Sequence, residues 1–244
     1  IYILSGQPNM IKKVNNWIDI IQYSLLAPSC IFCASTGIGG KDLCSHCLQD
    51  FTKLAEHCDC CARPLPQSIN HALCGQCQKH PPYFNKVYAA YQHQGEIRYL
   101  INQLKFANAF HYAKILGELV ADCLLENAEI PNSIIPVPLH PKRYQQRGYN
   151  QSLEIAKIVA KKLKTPIDHK SCIRSKNTMH QIELNPQQRQ ENIQDCFQIK
   201  HPIQAKHIAI LDDVITTGAT ANELAKTLKQ AGVEKVDIWV CSRA

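Results

Sequence analysis

Four Cys-x-x-Cys pairs crowded into one stretch constrain this chain more than any other feature: Cys30/Cys33, Cys44/Cys47, Cys58/Cys61 and Cys74/Cys77. They form an internal repeat. In each half ten or twelve residues separate a first pair from a second that reads Leu-Cys-x-x-Cys, as in Leu43-Cys44-Ser45-His46-Cys47 and Leu73-Cys74-Gly75-Gln76-Cys77. A pair at this spacing forms a tight knuckle whose thiolates converge on one side of a zinc ion, and two knuckles complete a tetrahedron. Eight thiolates therefore allow one or two zinc ions with every position filled by protein, which makes the metal structural rather than catalytic. The simplest assignment places neighbouring pairs on one ion, Cys30, Cys33, Cys44 and Cys47 on the first and Cys58, Cys61, Cys74 and Cys77 on the second. A cross-braced arrangement satisfies the same spacing. Cys60 competes with Cys58 and Cys61, and His46, His57, His71 or His80 could replace a thiolate.

Nine of the thirteen cysteines belong to this stretch; Cys123, Cys172, Cys196 and Cys241 stand singly in expected elements and read as buried hydrophobes. No charged-then-apolar leader with a small-residue cleavage site precedes them, so a secreted disulfide framework is not expected and cytoplasmic zinc accounts better for the pattern. No apolar run approaches the roughly 20 residues that cross a bilayer. Met10 opens a segment of natural character, and residues 1 to 9 carry no weight in this reading.

Val14, Trp17, Ile18, Ile21 and Leu25 recur at helical steps and predict an amphipathic helix ahead of Pro28. The cysteine-rich module runs to about residue 80 and is closed by Pro81-Pro82, which gives an N-terminal module over 10–80 and a second domain over 83–244. In the second, apolar periodicity predicts strand 87–91, helices 96–106 and 110–125, strand 134–137, helix 152–163 and a looped basic stretch to about 192. A short strand near Phe197, strand 207–211, helix 220–231 and strand 236–240 complete it. Strands alternating with helices predict an α/β fold with a doubly wound, mostly parallel sheet, whose ligands sit beyond the carboxyl ends of strands.

One such end carries chemistry. The β-rich run Lys206-His207-Ile208-Ala209-Ile210-Leu211 meets Asp212 and Asp213, passes through Thr216-Thr217-Gly218-Ala219-Thr220, and enters the helix with Leu224 and Leu228. Free backbone N–H groups and the positive end of the helix dipole favour a phosphate there. Gly218 lets the backbone turn closely round the anion, the three threonine hydroxyls add donors, and Thr220 is a candidate helix cap. The paired acids can accept hydrogen bonds from vicinal ribose hydroxyls or help hold Mg2+, largely through water. Phosphate on one side and diol on the other describe a ribose 5-phosphate. The net charge of +7 bears on this as well, since the stretch from Lys142 to Lys176 holds ten Lys or Arg against Glu154 and Asp168 alone. Such a surplus suits phosphates of a small molecule or of a nucleic acid, or a solvated helix face.

These features together resemble the type I phosphoribosyltransferases and, within them, the ComF family of bacterial competence-associated proteins, which includes the GntX group. The nine-residue turn from Asp212 to Thr220 carries the first likeness, and its union with an N-terminal cysteine module carries the second. Tyr91 with Ile97 to Ile101 and Leu104-Lys105-Phe106, the stretch from Val137-Pro138 to Arg147-Gly148-Tyr149-Asn150-Gln151, and Arg174, Thr178, Gln181, Leu184, Arg189, Asn192 and Phe197 are similar to further family segments. Ala62 stands where the family usually has Gly, a departure that bears on the local turn and not on the metal.

The resemblance implies a type I phosphoribosyltransferase sheet that binds phosphoribosyl pyrophosphate (PRPP) with Mg2+. By it, Asp212 and Asp213, the candidate catalytic acids, would contact the ribose hydroxyls, Thr216 to Thr220 would cradle the 5-phosphate, and Arg143 and Arg147 are the candidates for the pyrophosphate. It also implies a cytoplasmic role in uptake or handling of transforming single-stranded DNA, with that DNA and competence or recombination proteins as partners. Tyr144 and Tyr149 among Arg143 and Arg147 could pair stacking with charge there. The alternatives are phosphoribosyl transfer to an unknown acceptor, or a non-catalytic response to PRPP.

Overall fold

The computed structural model describes residues 28–66, 73–106, 110–176 and 193–244. The helix expected from Val14 to Leu25, His71, and the loop positions Thr178, Gln181, Leu184, Arg189 and Asn192 lie outside the described residues. The chain forms two compact units, divided in sequence between Asp50 and Phe51.

Within the first, the Cys30 knuckle closes on itself, with the Cys30 amide donating to Ser35 O (2.7 Å) and the Ala34 amide to Cys30 O (2.8 Å). The second unit repeats this turn: the Cys58 amide donates to Arg63 O (2.8 Å) and the Ala62 amide to Cys58 O (2.9 Å). The residue after each Cys-x-x-Cys adopts a left-handed backbone, Ala34 at φ 59° and Ala62 at φ 54°. The turn thus forms at Ala62 without the glycine, at a conformational cost of about 1–2 kcal/mol for an L-residue. The second pair of each half opens a short helix, α1 (Ser45–Gln49) and α2 (Gly75–Lys79).

The remainder runs β1 (Lys86–Gln92), α3 (Gly95–Phe106), α4 (Phe110–Asn127), β2 (Ser133–Pro136), α5 (Pro141–Arg147), α6 (Gln151–Leu163), β3 (Cys172–Arg174), β4 (Phe197–Ile199), β5 (His207–Ile215), α7 (Ala219–Gln230) and β6 (Lys235–Arg243). Four strands make a wholly parallel sheet in the order β1-β6-β5-β2, while β3 and β4 form a separate antiparallel ribbon. The expected mostly parallel α/β architecture is therefore present. Alternation along the central strands sets the two faces. Ile208 and Ile210 of β5 and Val236, Ile238 and Val240 of β6 share a core with Leu224 and Leu228 of α7, whereas α4 and α6 pack together and against the sheet. Gly117 is required at that helix pair, because a Cβ there would stand 2.5 Å from Ile158 Cβ.

Three differences from the sequence reading have identifiable causes. Strand β5 runs on to Ile215 and carries both acids, because β6 extends equally and pairs Asp212 with Val240 and Ile215 with Arg243. Helix α5 is additional, short enough to escape a periodicity test but marked by Pro141 at its first turn and His140 as N-cap. Ribbon strand β3 has three residues, too few for any alternation to show. Of the four single cysteines, Cys172, Cys196 and Cys241 are buried as expected, while Cys123 is only partly so.

Candidate functional site

The sulfurs of Cys30, Cys33, Cys44 and Cys47 lie within 4.8 Å of one another, as do those of Cys58, Cys61, Cys74 and Cys77. This is the neighbouring assignment and not the cross-braced one. Measured gaps of 3.5 Å (Cys33–Cys44) and 3.7 Å (Cys61–Cys74) match the edge of a tetrahedron with Zn–S near 2.3 Å, about 3.8 Å. Backbone N–H groups aim at the sulfurs, from Cys47 to Cys44 (3.4 Å) and from Cys74 to Cys58 (3.2 Å). Burial resists a thiolate at Cys58, yet the amides of Cys61, Cys74 and Cys60 outweigh it and hold this thiol down at about 7. Cys60 stands outside both sets; burial pushes it up to about 11, and its carbonyl accepts from the Val87 amide (2.8 Å). With four protein sulfurs each, the two sets fit structural zinc.

At the carboxyl edge of the sheet, one cavity of about 280 Å³ brings together Arg143, Arg147, Asp212, Asp213 and the turn Thr216 to Thr220. Its lining also includes Lys105, Ser152 and Arg174, which the sequence reading did not single out for the site. Each acid is fixed from a different helix. Lys105 Nζ of α3 lies 2.6 Å from Asp213 Oδ2, and Asp213 is only 3% exposed. Burial works against the lysine charge, but Asp213 and then Asp212 overcome it and hold the ammonium above its ordinary range. Ser152 Oγ of α6 donates to Asp212 Oδ1 (2.8 Å), which also accepts from the Asp213 amide (2.9 Å). Burial first, and the neighbouring Asp213 carboxylate second, push Asp212 up to about 7.

Local sequence explains how Ser152 arrives there. Asn150 caps α6: its Oδ1 accepts from the Ser152 amide (3.0 Å) while its Nδ2 donates to Val137 O (3.0 Å), tying the helix start to the end of β2. Tyr149 donates to Leu104 O next to Lys105, and its ring packs on Phe110 with centroids 5.0 Å apart. Tyr149 is therefore a buried brace between α3 and α6, 5% exposed, and not a surface stacking platform; Tyr144 is 50% exposed and keeps that capacity.

The turn itself departs from one expectation. Helix α7 starts at Ala219 with Gly218 as N-cap at φ 84°, a left-handed conformation that favours glycine, so Thr220 lies in the first turn and does not cap it. Thr217 Oγ1 accepts from the Ala219 amide at 3.3 Å. Thr216 and Thr217 are exposed, leaving their hydroxyls open to a ligand. In the same cavity, desolvation first and then the guanidiniums of Arg174 and Arg147 lower Arg143 from its ordinary value. Arg174 is 7% exposed, and its guanidinium lies 5.7 Å from the centroid of the Phe197 ring. Four cations, two acids and a phosphate-type turn in one cavity can bind a ligand with anionic groups at both ends and hydroxyls between.

Comparison with known proteins agrees with the cysteine sets. Residues 21–78 match the double zinc ribbon domain family. The chain is 32% identical over 224 residues to competence protein F of Haemophilus influenzae, covering 88% of this chain and 96% of that one. It is 30% identical to the DNA utilization protein YhgH of Escherichia coli O157:H7 over 84% of this chain and 92% of the relative. Competence protein ComFC of Bacillus subtilis is 25% identical over 79% and 80%. Among solved structures, the allosteric regulatory enzyme of purine biosynthesis overlaps 52% of this chain and 25% of its own at 16% identity, with a TM-score of 0.34, too slight an overlap to carry an argument. With two four-cysteine zinc-ribbon sets, a parallel α/β unit and relatives aligned over nearly their whole length, this chain belongs to the competence protein F (ComF) family.

Proposed function

We propose that this protein binds PRPP, with its Mg2+, in the cavity at the end of β5, and that binding serves the handling of transforming single-stranded DNA in the cytoplasm. The observation that carries the first half is the single cavity that joins Asp212, Asp213 and the turn 216–220 to Arg143, Arg147, Arg174 and Lys105. In this reading the backbone amides and threonine hydroxyls at the start of α7 take the 5-phosphate. Asp212 and Asp213 accept from the ribose hydroxyls and face Mg2+ through water. Arg143, Arg147 and Arg174 balance the pyrophosphate, Arg143 and Arg147 by bidentate contacts where geometry allows. Loss of pyrophosphate from C1 needs positioning and charge stabilisation but no protein nucleophile, so the same residues serve binding alone or transfer to an acceptor.

Competition distinguishes this reading from unrelated anion binding. Ribose 5-phosphate and pyrophosphate should each bind and each displace PRPP, which should bind more tightly than either; ribose 5-phosphate that leaves PRPP bound would refute the shared site. Incubation with Mg-PRPP and a panel of bases then separates transfer, seen as pyrophosphate release lost in Asp213→Ala, from binding alone.

The DNA half is supported by the names of the relatives, as a competence and a DNA utilization protein, and by an exposed basic surface. Lys142, Lys161, Lys164 and Lys170 are exposed, close in sequence to the half-exposed ring of Tyr144. Such a surface should bind single strands with an affinity that falls with salt, by about 0.7 in the log–log slope for each phosphate neutralised. An affinity unchanged by salt, or none at all, would count against it.

A further inference from the structure

The second cysteine set lies near the phosphate turn, and one buried side chain hydrogen-bonds to both. Arg243, at the end of β6, is 5% exposed. Its Nε donates to Cys61 O at 3.1 Å and its Nη1 to Ile215 O at 3.1 Å, while Nη1 also faces the carbonyls of Thr216 and Ala244. Cys61 belongs to the Cys58, Cys61, Cys74, Cys77 set, and Ile215-Thr216 is where β5 becomes the turn. Ala62, Cys60 and Cys61 also pack into the core that holds Ile215, and a cavity of about 680 Å³ is lined by Cys61, Arg63, Gln76 and Cys77 together with Thr217, Gly218 and Ala219. Apolar packing of this kind is not directional, whereas a buried guanidinium with carbonyl acceptors on both sides fixes their placement, because each of its donors would be costly to leave unpaired.

We infer that Arg243 is a positioning residue that makes the second zinc site part of the phosphate site: the zinc knuckle fixes Cys61, Cys61 fixes the guanidinium, and the guanidinium fixes the turn from Ile215 to Gly218. Zinc at this set then sets the order of the turn and so its readiness for an anion. The consequence for phosphate rests on the ligand reading above; the consequence for order of the turn does not. By linkage the coupling runs both ways, so a ligand on the turn tightens zinc at the knuckle, which we expect to read as slower release to a chelator.

Amide hydrogen exchange on the full chain tests this without any ligand. In Arg243→Met the amides of 215–219 should exchange roughly tenfold faster, as expected for loss of a buried hydrogen-bonded anchor, with zinc content unchanged, and Arg243→Lys should lie between. Wild-type exchange rates in Arg243→Met would overturn the inference. Should Arg243→Met fail to fold, Arg243→Lys and the wild type remain informative, since ribose 5-phosphate should slow chelator-driven zinc release from the wild type severalfold. Binding of ribose 5-phosphate with no change in zinc release would overturn the coupling. If ribose 5-phosphate does not bind the wild type at all, the phosphate-site reading falls, and the exchange rates alone judge Arg243.

Discussion

Lys105 Nζ and Asp213 Oδ2 stand 2.6 Å apart across the floor of the candidate site, with the lysine side chain 21% exposed and the aspartate side chain 5%. The pair joins α3 to β5 at the acid that the proposed ligand would meet. Removing one partner leaves the other as an uncompensated, largely buried charge, a loss that exceeds what the pair itself contributes. Lys105→Met should therefore destabilise the fold by about 3 kcal/mol, reduced if water reaches Asp213, and Lys105→Met with Asp213→Asn should recover part of that. Denaturant unfolding of the two singles and the double measures the coupling.

Asp212 gives the site a pH dependence of definite sign. Its carboxyl is raised from an ordinary 3.8 to about 7 by burial and by Asp213. Between those values the folded protein keeps a proton that the unfolded chain releases, so this group's contribution to stability falls as pH rises towards 7. Binding runs the other way, because the ionised form accepts from hydroxyls better than the acid. Affinity for ribose 5-phosphate should rise as pH passes upward through about 7, and the rise should disappear in Asp212→Asn. Titrations at several pH values check it.

Gly218 supplies conformation and not space. At φ 84° an added Cβ would meet nothing nearer than Ile215 Cδ1, 3.7 Å away. Gly218→Ala should thus cost about 1–2 kcal/mol of backbone strain, which the turn can relieve by shifting. The expected outcome is a small drop in melting temperature with roughly tenfold weaker phosphate binding. A variant that binds as the wild type does would show that the left-handed turn is not needed.

The zinc sets predict a stoichiometry. Elemental analysis should find zinc in the full chain, and Cys58→Ser should remove the share held by the second set while leaving the first set loaded. Because Ala62, Cys60 and Cys61 pack into the same core as Ile215 and Ile238, that variant should also lower the melting temperature of the α/β unit.

The chain's own letters disclosed the metal sets and the turn because each is a contiguous pattern: a thiolate pair needs two fixed spacings, and a strand meeting a helix around Asp-Asp and Gly218 needs nine adjacent residues. The partners of the acids were less legible. Lys105 and Ser152 reach Asp213 and Asp212 from helices 108 and 60 residues away in sequence, which the parallel crossover connections bring home. Their signal was present as Leu104-Lys105-Phe106 and as the start of α6, but nothing local says which acid each would meet. Tyr149 illustrates the converse. Beside Arg147 it reads as a stacking surface, and only the fold shows its hydroxyl committed to Leu104.

Calorimetric titration of the full chain with Mg-PRPP asks whether the cavity at the end of β5 is a PRPP site. Saturable binding of one PRPP per chain is expected, weakened in Gly218→Ala and weakened further in Arg143→Gln with Arg147→Gln. No detectable binding to the wild type, or binding that these substitutions leave untouched, would contradict it.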